Sequence, residues 1–160
     1  KSLPDHTLLY TRYDAISHCL DVMWSIDYNK LDKDLVENTL ERLIQPNTTP
    51  IEILKLGHEA GSFIQIVPTT ILHALSYPIT ARYKITHGQA LGFLIFPLCR
   101  LLGYSDHIKK LKKLDNFLDI DINFIIIEAR KYSKFFKTFT NINIEELKRE
   151  LLHEKDMLLN

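Results

Sequence analysis

Apolar residues recur at intervals of three and four along most of this chain, a period that suits helices packed on helices. No stretch alternates apolar and polar residues in the way of a half-buried strand. The spacing predicts helices over residues 14–24, 32–44, 51–66, 67–77, 87–102, 106–118, 123–137 and 144–159. In the first, Ile16, Leu20 and Met23 or Trp24 share one face. Local signals set several edges. Pro46 and the Asn47–Pro50 cluster separate the second helix from the third. Pro68 suits a first turn, and Pro78 disfavours helix in the residue before it, so the fourth helix is expected to stop near Tyr77. Thr86 is an N-cap candidate, and Pro97 is expected to kink or break the fifth helix. Asn143, followed by Glu145 and Glu146, starts the last helix. The isoleucine-rich stretch 122–127 could pass for a buried strand, but the helical period continues beyond it to Phe136. The fold class is all-α, a bundle of about seven or eight helices in one domain over residues 1–160.

With 160 residues and a hydrophobic fraction of 46%, the chain can bury a core of ordinary size. Twenty basic and twenty acidic residues balance to a formal charge of zero, which argues against a nucleic-acid surface or a polybasic membrane anchor. The cluster Lys109, Lys110, Lys112 and Lys113 reads as a solvated face, because Leu111 and Leu114 sit among the lysines. Cys19 and Cys99 lie in apolar segments, which fits buried, reduced thiols and a cytoplasmic chain. Lys1 is not followed by the apolar run of a secretory leader. The apolar run 90–102 is interrupted by Gly92, Pro97 and Arg100 and is too short to span a bilayer. A Gly-rich phosphate cradle is not recognisable. Gly61, within a helix, is expected to permit close helix packing.

Seven histidines carry whatever chemistry the chain has. His6, His107 and His153 lie in polar or terminal contexts and read as surface residues, and His58 reads the same way. Three remain. His18 follows Asp14 by four residues, so both side chains leave one helix face a turn apart. Two readings stand for this pair: a hydrogen bond near a helix N-terminus, or half of a divalent metal site. His73 and His87 lie fourteen residues apart, one near a helix end and one at a helix start. They are either core histidines or the other half of that site. Three imidazoles and a carboxylate suit Fe2+ or Zn2+.

At these residues the chain resembles the iron-containing (metal-dependent) alcohol dehydrogenases. SLPDHTLLYTRYDAISHCLD, residues 2–21, is similar to the family's DAxxHxxE signature and its lead-in. AGSFIQIVPTTILHALSYPITARYKITHGQA, residues 60–90, is similar to its AG…HAxxHP…HG segment. The version HALSYPIT, preceded by VPTT, resembles a branch that includes phosphonoacetaldehyde reductases. The resemblance implies the all-helical C-terminal domain of a two-domain enzyme, lacking here an N-terminal NAD(P)-binding domain and one short C-terminal helix. It also implies metal ligation by Asp14, His18, His73 and His87. Two positions depart from the pattern. Asp21 stands where the family has glutamate. Tyr77 stands where it has the second histidine of HAxxHP, which lies near nicotinamide and substrate and is given a proton-relay role. Tyr77 is therefore the catalytic candidate, although a phenol with an ordinary pKa near 10 is a poorer shuttle at neutral pH.

The expected function is thus that of a catalytic metal domain of an NAD(P)-dependent alcohol or aldehyde oxidoreductase. The isolated chain is expected to be inactive without its nucleotide-binding partner domain. The alternative is a helical binding module without turnover. A dehydroquinate-synthase-like lyase shares the broad fold but fits HALSYPIT…HG less well. An uncovered cleft face would be apolar enough to invite a homodimer.

Overall fold

The structure, a computed structural model, describes residues 5–111, 113–114, 119–138 and 141–159. Seven α-helices make up the regular structure among them. They are α1 (Asp5–Met23), α2 (Lys33–Ile44), α3 (Pro50–Ile66), α4 (Ile71–Tyr83), α5 (His87–Leu102), α6 (Ile122–Ala129) and α7 (Ile144–Leu159). Short 3₁₀ turns lie at Tyr28–Lys30, Ser105–Ile108 and Ser133–Lys137. The all-α expectation holds, and none of these helices is long and apolar enough to cross a membrane.

Side-chain caps explain several starts. Asp32, Thr86 and Asp121 accept from the backbone N–H three residues on, at Leu35, Gln89 and Phe124. Thr49 and Glu52 form a reciprocal capping box at α3. Asn143 Oδ1 accepts from the N–H groups of Glu145 and Glu146.

Other boundaries differ from the sequence reading. Helix α1 begins at Asp5, so Asp14 lies well inside it and not near its start. Val67 closes α3 through its N–H to the Phe63 carbonyl, and α4 begins only at Ile71. It then runs through Pro78 to Tyr83. Proline removes one backbone donor there. The hydroxyls of Ser76 and Thr80 donate to the carbonyls of His73 and Ser76 in the same stretch. Pro97 likewise leaves α5 unbroken. Residues 106–111 form a 3₁₀ turn and bend where a helix was expected; Lys112 and residues 115–118 of that span lie outside the described residues. Even so, Leu111 and Leu114 are buried while Lys109, Lys110 and Lys113 are exposed. The span 123–137 is interrupted after Ala129 and resumes as the turn Ser133–Lys137.

Helix α1 is the central element. It packs against α2, α3, α4 and α5 and buries Tyr13, Ile16, Cys19 and Leu20 completely, and Trp24, just past its end, is buried as well. Its approach to α5 depends on two glycines. A Cβ on Gly88 would lie 2.3 Å from the Tyr10 carbonyl oxygen, and one on Gly92 would lie 2.7 Å from the Tyr13 ring. Gly61, by contrast, faces open space, so the close packing expected there falls at Gly88 and Gly92 instead. On the far side of α5, buried Glu154 of α7 accepts from Arg100 Nη1 at 2.7 Å and from Lys113 Nζ at 3.1 Å. The loop after α1 is tied to the Ser133–Lys137 turn by the Ile26 N–H, which donates to the Lys137 carbonyl at 3.0 Å. Cys19 and Cys99 are free and buried, as their contexts suggest, and burial pushes both thiols well above the ordinary range.

Candidate metal centre

Three helices bring the candidate residues together. Asp14 and His18 lie on α1, His73 in the first turn of α4, and His87 at the first position of α5. The contact at Gly88 sets α5 against Tyr10, one turn before Asp14, and so delivers His87 to the carboxylate. The three distances radiate from one atom. Asp14 Oδ1 lies 3.5 Å from His87 Nε2, 3.8 Å from His18 Nε2 and 4.0 Å from His73 Nε2. Asp14, His73 and His87 each offer a ligand atom within 4.8 Å of the others. His18 flanks this triad, its ring stacked on His73 at 5.2 Å between centroids. None of the three distances is a good hydrogen bond. They are close to the edge of a tetrahedron built on metal–ligand bonds near 2.1 Å, which is about 3.4 Å.

One unmet polar atom, Asp14 Oδ1, agrees with that spacing. Asp14 Oδ1 and His18 Nδ1 are buried with no hydrogen-bond partner. An uncompensated buried carboxylate oxygen is costly unless it meets a proton or a cation. The triad of Asp14, His73 and His87 offers donors of the types O, N and N, which a borderline divalent ion takes.

Burial also sets the protonation of the rings. It lowers the pKa of His18, outweighing the upward pull of Asp14. It lowers that of His87 too, helped by His73 and opposed by Asp14. Neutral imidazoles with available lone pairs result.

Asp21 is the residue whose role sequence reasoning missed. It is completely buried. Its Oδ2 accepts from His73 Nδ1 at 2.8 Å and from the His73 N–H at 3.2 Å. Its Oδ1 accepts from Thr70 Oγ1 at 2.7 Å and from the Leu72 N–H at 3.0 Å. One carboxylate from α1 therefore caps the start of α4 and holds the proton of His73 on Nδ1. The lone pair is left on Nε2, facing Asp14. The signal available in the sequence was its position three residues after His18.

Tyr77 lies against the imidazoles. Its ring stacks on His87 at 6.3 Å and meets His73 edge-on at 6.4 Å. Its hydroxyl accepts from Lys134 Nζ at 3.3 Å. An open recess of about 530 Å³ lies over this ring, lined by Tyr77, Thr80, Ala81, His87 and Tyr132. A second, of about 330 Å³, lies on the other side of His87, against Tyr10, Asp14 and Gly88. His6, His58, His107 and His153 are exposed, as their contexts suggest.

The fold is that of the all-α C-terminal domain of iron-containing alcohol dehydrogenases. The iron-containing alcohol dehydrogenase of Thermotoga maritima superposes with a TM-score of 0.74 at 16% identity, covering 96% of this chain and 50% of that one. A 1,3-propanediol oxidoreductase gives 0.77 at 14% identity, covering 96% of this chain and 53% of that one. The sulfoacetaldehyde reductase of Bifidobacterium kashiwanohense, solved in complex with NAD+, gives 0.74 at 15% identity, covering 95% and 51%. In sequence, the chain is 36% identical over 55 residues to phosphonoacetaldehyde reductase of Streptomyces viridochromogenes, a match over 34% of this chain and 13% of that protein. No family model matches. The chain spans about half the length of the solved structures it matches.

Proposed function

We propose that this chain is the metal-holding helical domain of an NAD(P)-dependent oxidoreductase of small alcohols or aldehydes. Its metal ligands are Asp14, His18, His73 and His87, and the ion is Fe2+ or Zn2+. The observation that carries this reading is the single buried, unpartnered oxygen of Asp14 with three imidazole nitrogens around it at 3.5–4.0 Å. A divalent ion held there supplies a Lewis acid that polarises the substrate oxygen.

The chain's own residues prepare that chemistry. Asp21 fixes the tautomer and direction of His73. Burial keeps His18 and His87 unprotonated. Tyr77 Oη accepts from Lys134, so its own proton is free to be donated into the recess. Tyr77 thereby orients the substrate oxygen and holds a proton beside it. The nicotinamide cofactor is bound mainly by a separate nucleotide-binding domain, in keeping with the half-length match and with the NAD+ bound to one matched structure. Two of the similar proteins act, by name, on phosphonoacetaldehyde and sulfoacetaldehyde, and a small aldehyde of that kind is the substrate proposed here. The reduced, buried cysteines support a cytoplasmic location. A homodimer through exposed apolar side chains such as Ile127 and Phe136 completes the proposal.

Cobalt titration tests it. One Co2+ per chain, with the visible absorption of a four- or five-coordinate ion, is expected. Absence of stoichiometric binding, with His73→Ala and His87→Ala leaving metal-dependent stability unchanged, would instead favour a binding module without turnover.

A further inference from the structure

Tyr77 lines the recess beside His87, yet the group that governs its hydroxyl stands outside that recess. Lys134 Nζ donates to Tyr77 Oη at 3.3 Å and to Thr69 Oγ1 at 3.1 Å. The same nitrogen is 5.7 Å from the centre of the Tyr77 ring, so it sits at the hydroxyl end of the phenol rather than over its face. An ammonium only donates. Tyr77 Oη therefore accepts on that side, and its own hydrogen takes another direction.

Both members of this pair are fixed. Lys134 belongs to the Ser133–Lys137 turn, in which Phe135 is buried and donates its N–H to the Tyr132 carbonyl at 3.1 Å. The Lys137 carbonyl is held by the Ile26 N–H. The Tyr77 ring stacks on His87 at 6.3 Å and meets Tyr132 edge-on at 5.2 Å. Among the described residues no carboxylate lies within ion-pair distance of Lys134, whereas Lys30, Lys109, Lys113, Lys131 and Lys155 all have one. Lys134 is also half-buried, and Thr69 beside it is buried. A partly desolvated ammonium is costly to hold with neutral partners alone. Here its charge is left to act on one phenol oxygen.

We propose that Lys134 is the positioning residue of the proton donor. It turns the Tyr77 hydroxyl toward the recess and stabilises the negative charge that grows on Oη as the proton leaves. The identity of the proton's acceptor rests on the oxidoreductase reading; the pairing of Lys134 with Tyr77 does not. In a reduction the Oη–H bond breaks, an O–H bond forms on the substrate oxygen, and the carbon takes the hydride that a nicotinamide supplies. The charge left on Oη faces an ammonium already in place, so no group has to move to compensate it. Thr69 keeps the ammonium aimed at that oxygen, and Lys134 acts only through Tyr77.

The test uses the metal-free chain, with tyrosines labelled with 13C at Cζ and isobutyramide as an unreactive carbonyl probe. A saturable shift of the Tyr77 signal is expected in the wild-type chain, with Tyr13, Tyr28 and Tyr104 unmoved. Lys134→Met is expected to weaken probe binding about fivefold, and Lys134→Arg to keep it within about twofold, because a charge-assisted bond polarises the phenol. Lys134→Gln keeps a donor without the charge and is expected to behave as Lys134→Met. Thermal melting checks that the variants are folded; a merely structural lysine would lower the melting temperature and leave probe affinity unchanged. No shift at Tyr77 in the wild-type chain, an affinity unaltered by Lys134→Met or Lys134→Gln, or Lys134→Arg as weak as Lys134→Met would overturn the proposal. Cobalt titration of the wild-type chain without probe reports separately on the metal reading, so either can fail while the other stands.

Discussion

Two carboxylates seven residues apart on α1 have opposite fates. Asp21, in the last turns of the helix, is completely buried and accepts four hydrogen bonds, all from residues 70–73. Asp14, two turns earlier, has a buried oxygen that accepts none and faces three imidazole nitrogens. Both lie on one rigid helix, so the difference comes from what is packed against each. The α4 N-terminus brings donors to Asp21. The α4 and α5 histidines bring ring nitrogens to Asp14, that of His73 with its lone pair. A carboxylate surrounded by donors is a structural cap, while one surrounded by other acceptors calls for a cation.

Substitutions can break this contrast. Asp21→Ala is expected to have the largest effect, a loss of about 3–5 kcal/mol, because it strands the donors at Thr70, Leu72 and His73 together. Urea unfolding of the metal-free chain measures it. Asp14→Ala should behave in the opposite sense. The metal-free chain keeps or gains stability, while cobalt affinity falls at least about a hundredfold, or roughly 3 kcal/mol. A large loss of metal-free stability in Asp14→Ala would erase the distinction between the two carboxylates.

Gly88→Ala sharpens the comparison from the α5 side. Its Cβ would overlap the Tyr10 carbonyl, so the helices must separate and carry His87 from Asp14. A cost of about 1–3 kcal/mol is expected, together with weakened cobalt binding. The smallest effect is expected at Lys84, which ends α4 with a φ of 54°. Lys84→Gly should raise the melting temperature slightly, by about 0.5–1 kcal/mol in stability, since glycine adopts that conformation without strain. Metal affinity should not change.

Much of the helix pattern was legible from local chemistry. Thr86 and Asn143 cap the helices their positions suggest. The stretch 122–127 is helical because its apolar period continues past a strand's length. Where the reading failed, a distant group intervened or a local rule was outweighed. Helix α4 passes Pro78 although that proline argues for a stop, and its start is set by Asp21, some fifty residues away. Gly61 and Gly88 look alike as letters, and only the neighbour at Tyr10 separates them.

The chemistry divides in the same way. Residue type and spacing alone determined an all-α chain with one Asp/His pair and one His/His pair suited to one divalent ion, because side-chain period and ligand preference are local properties. The tertiary structure alone decided that both pairs converge on one Asp14 oxygen, that Asp21 orients His73, and that Tyr77 meets Lys134. Those arrangements depend on contacts between residues tens of positions apart, which form only when α1, α4 and α5 pack together.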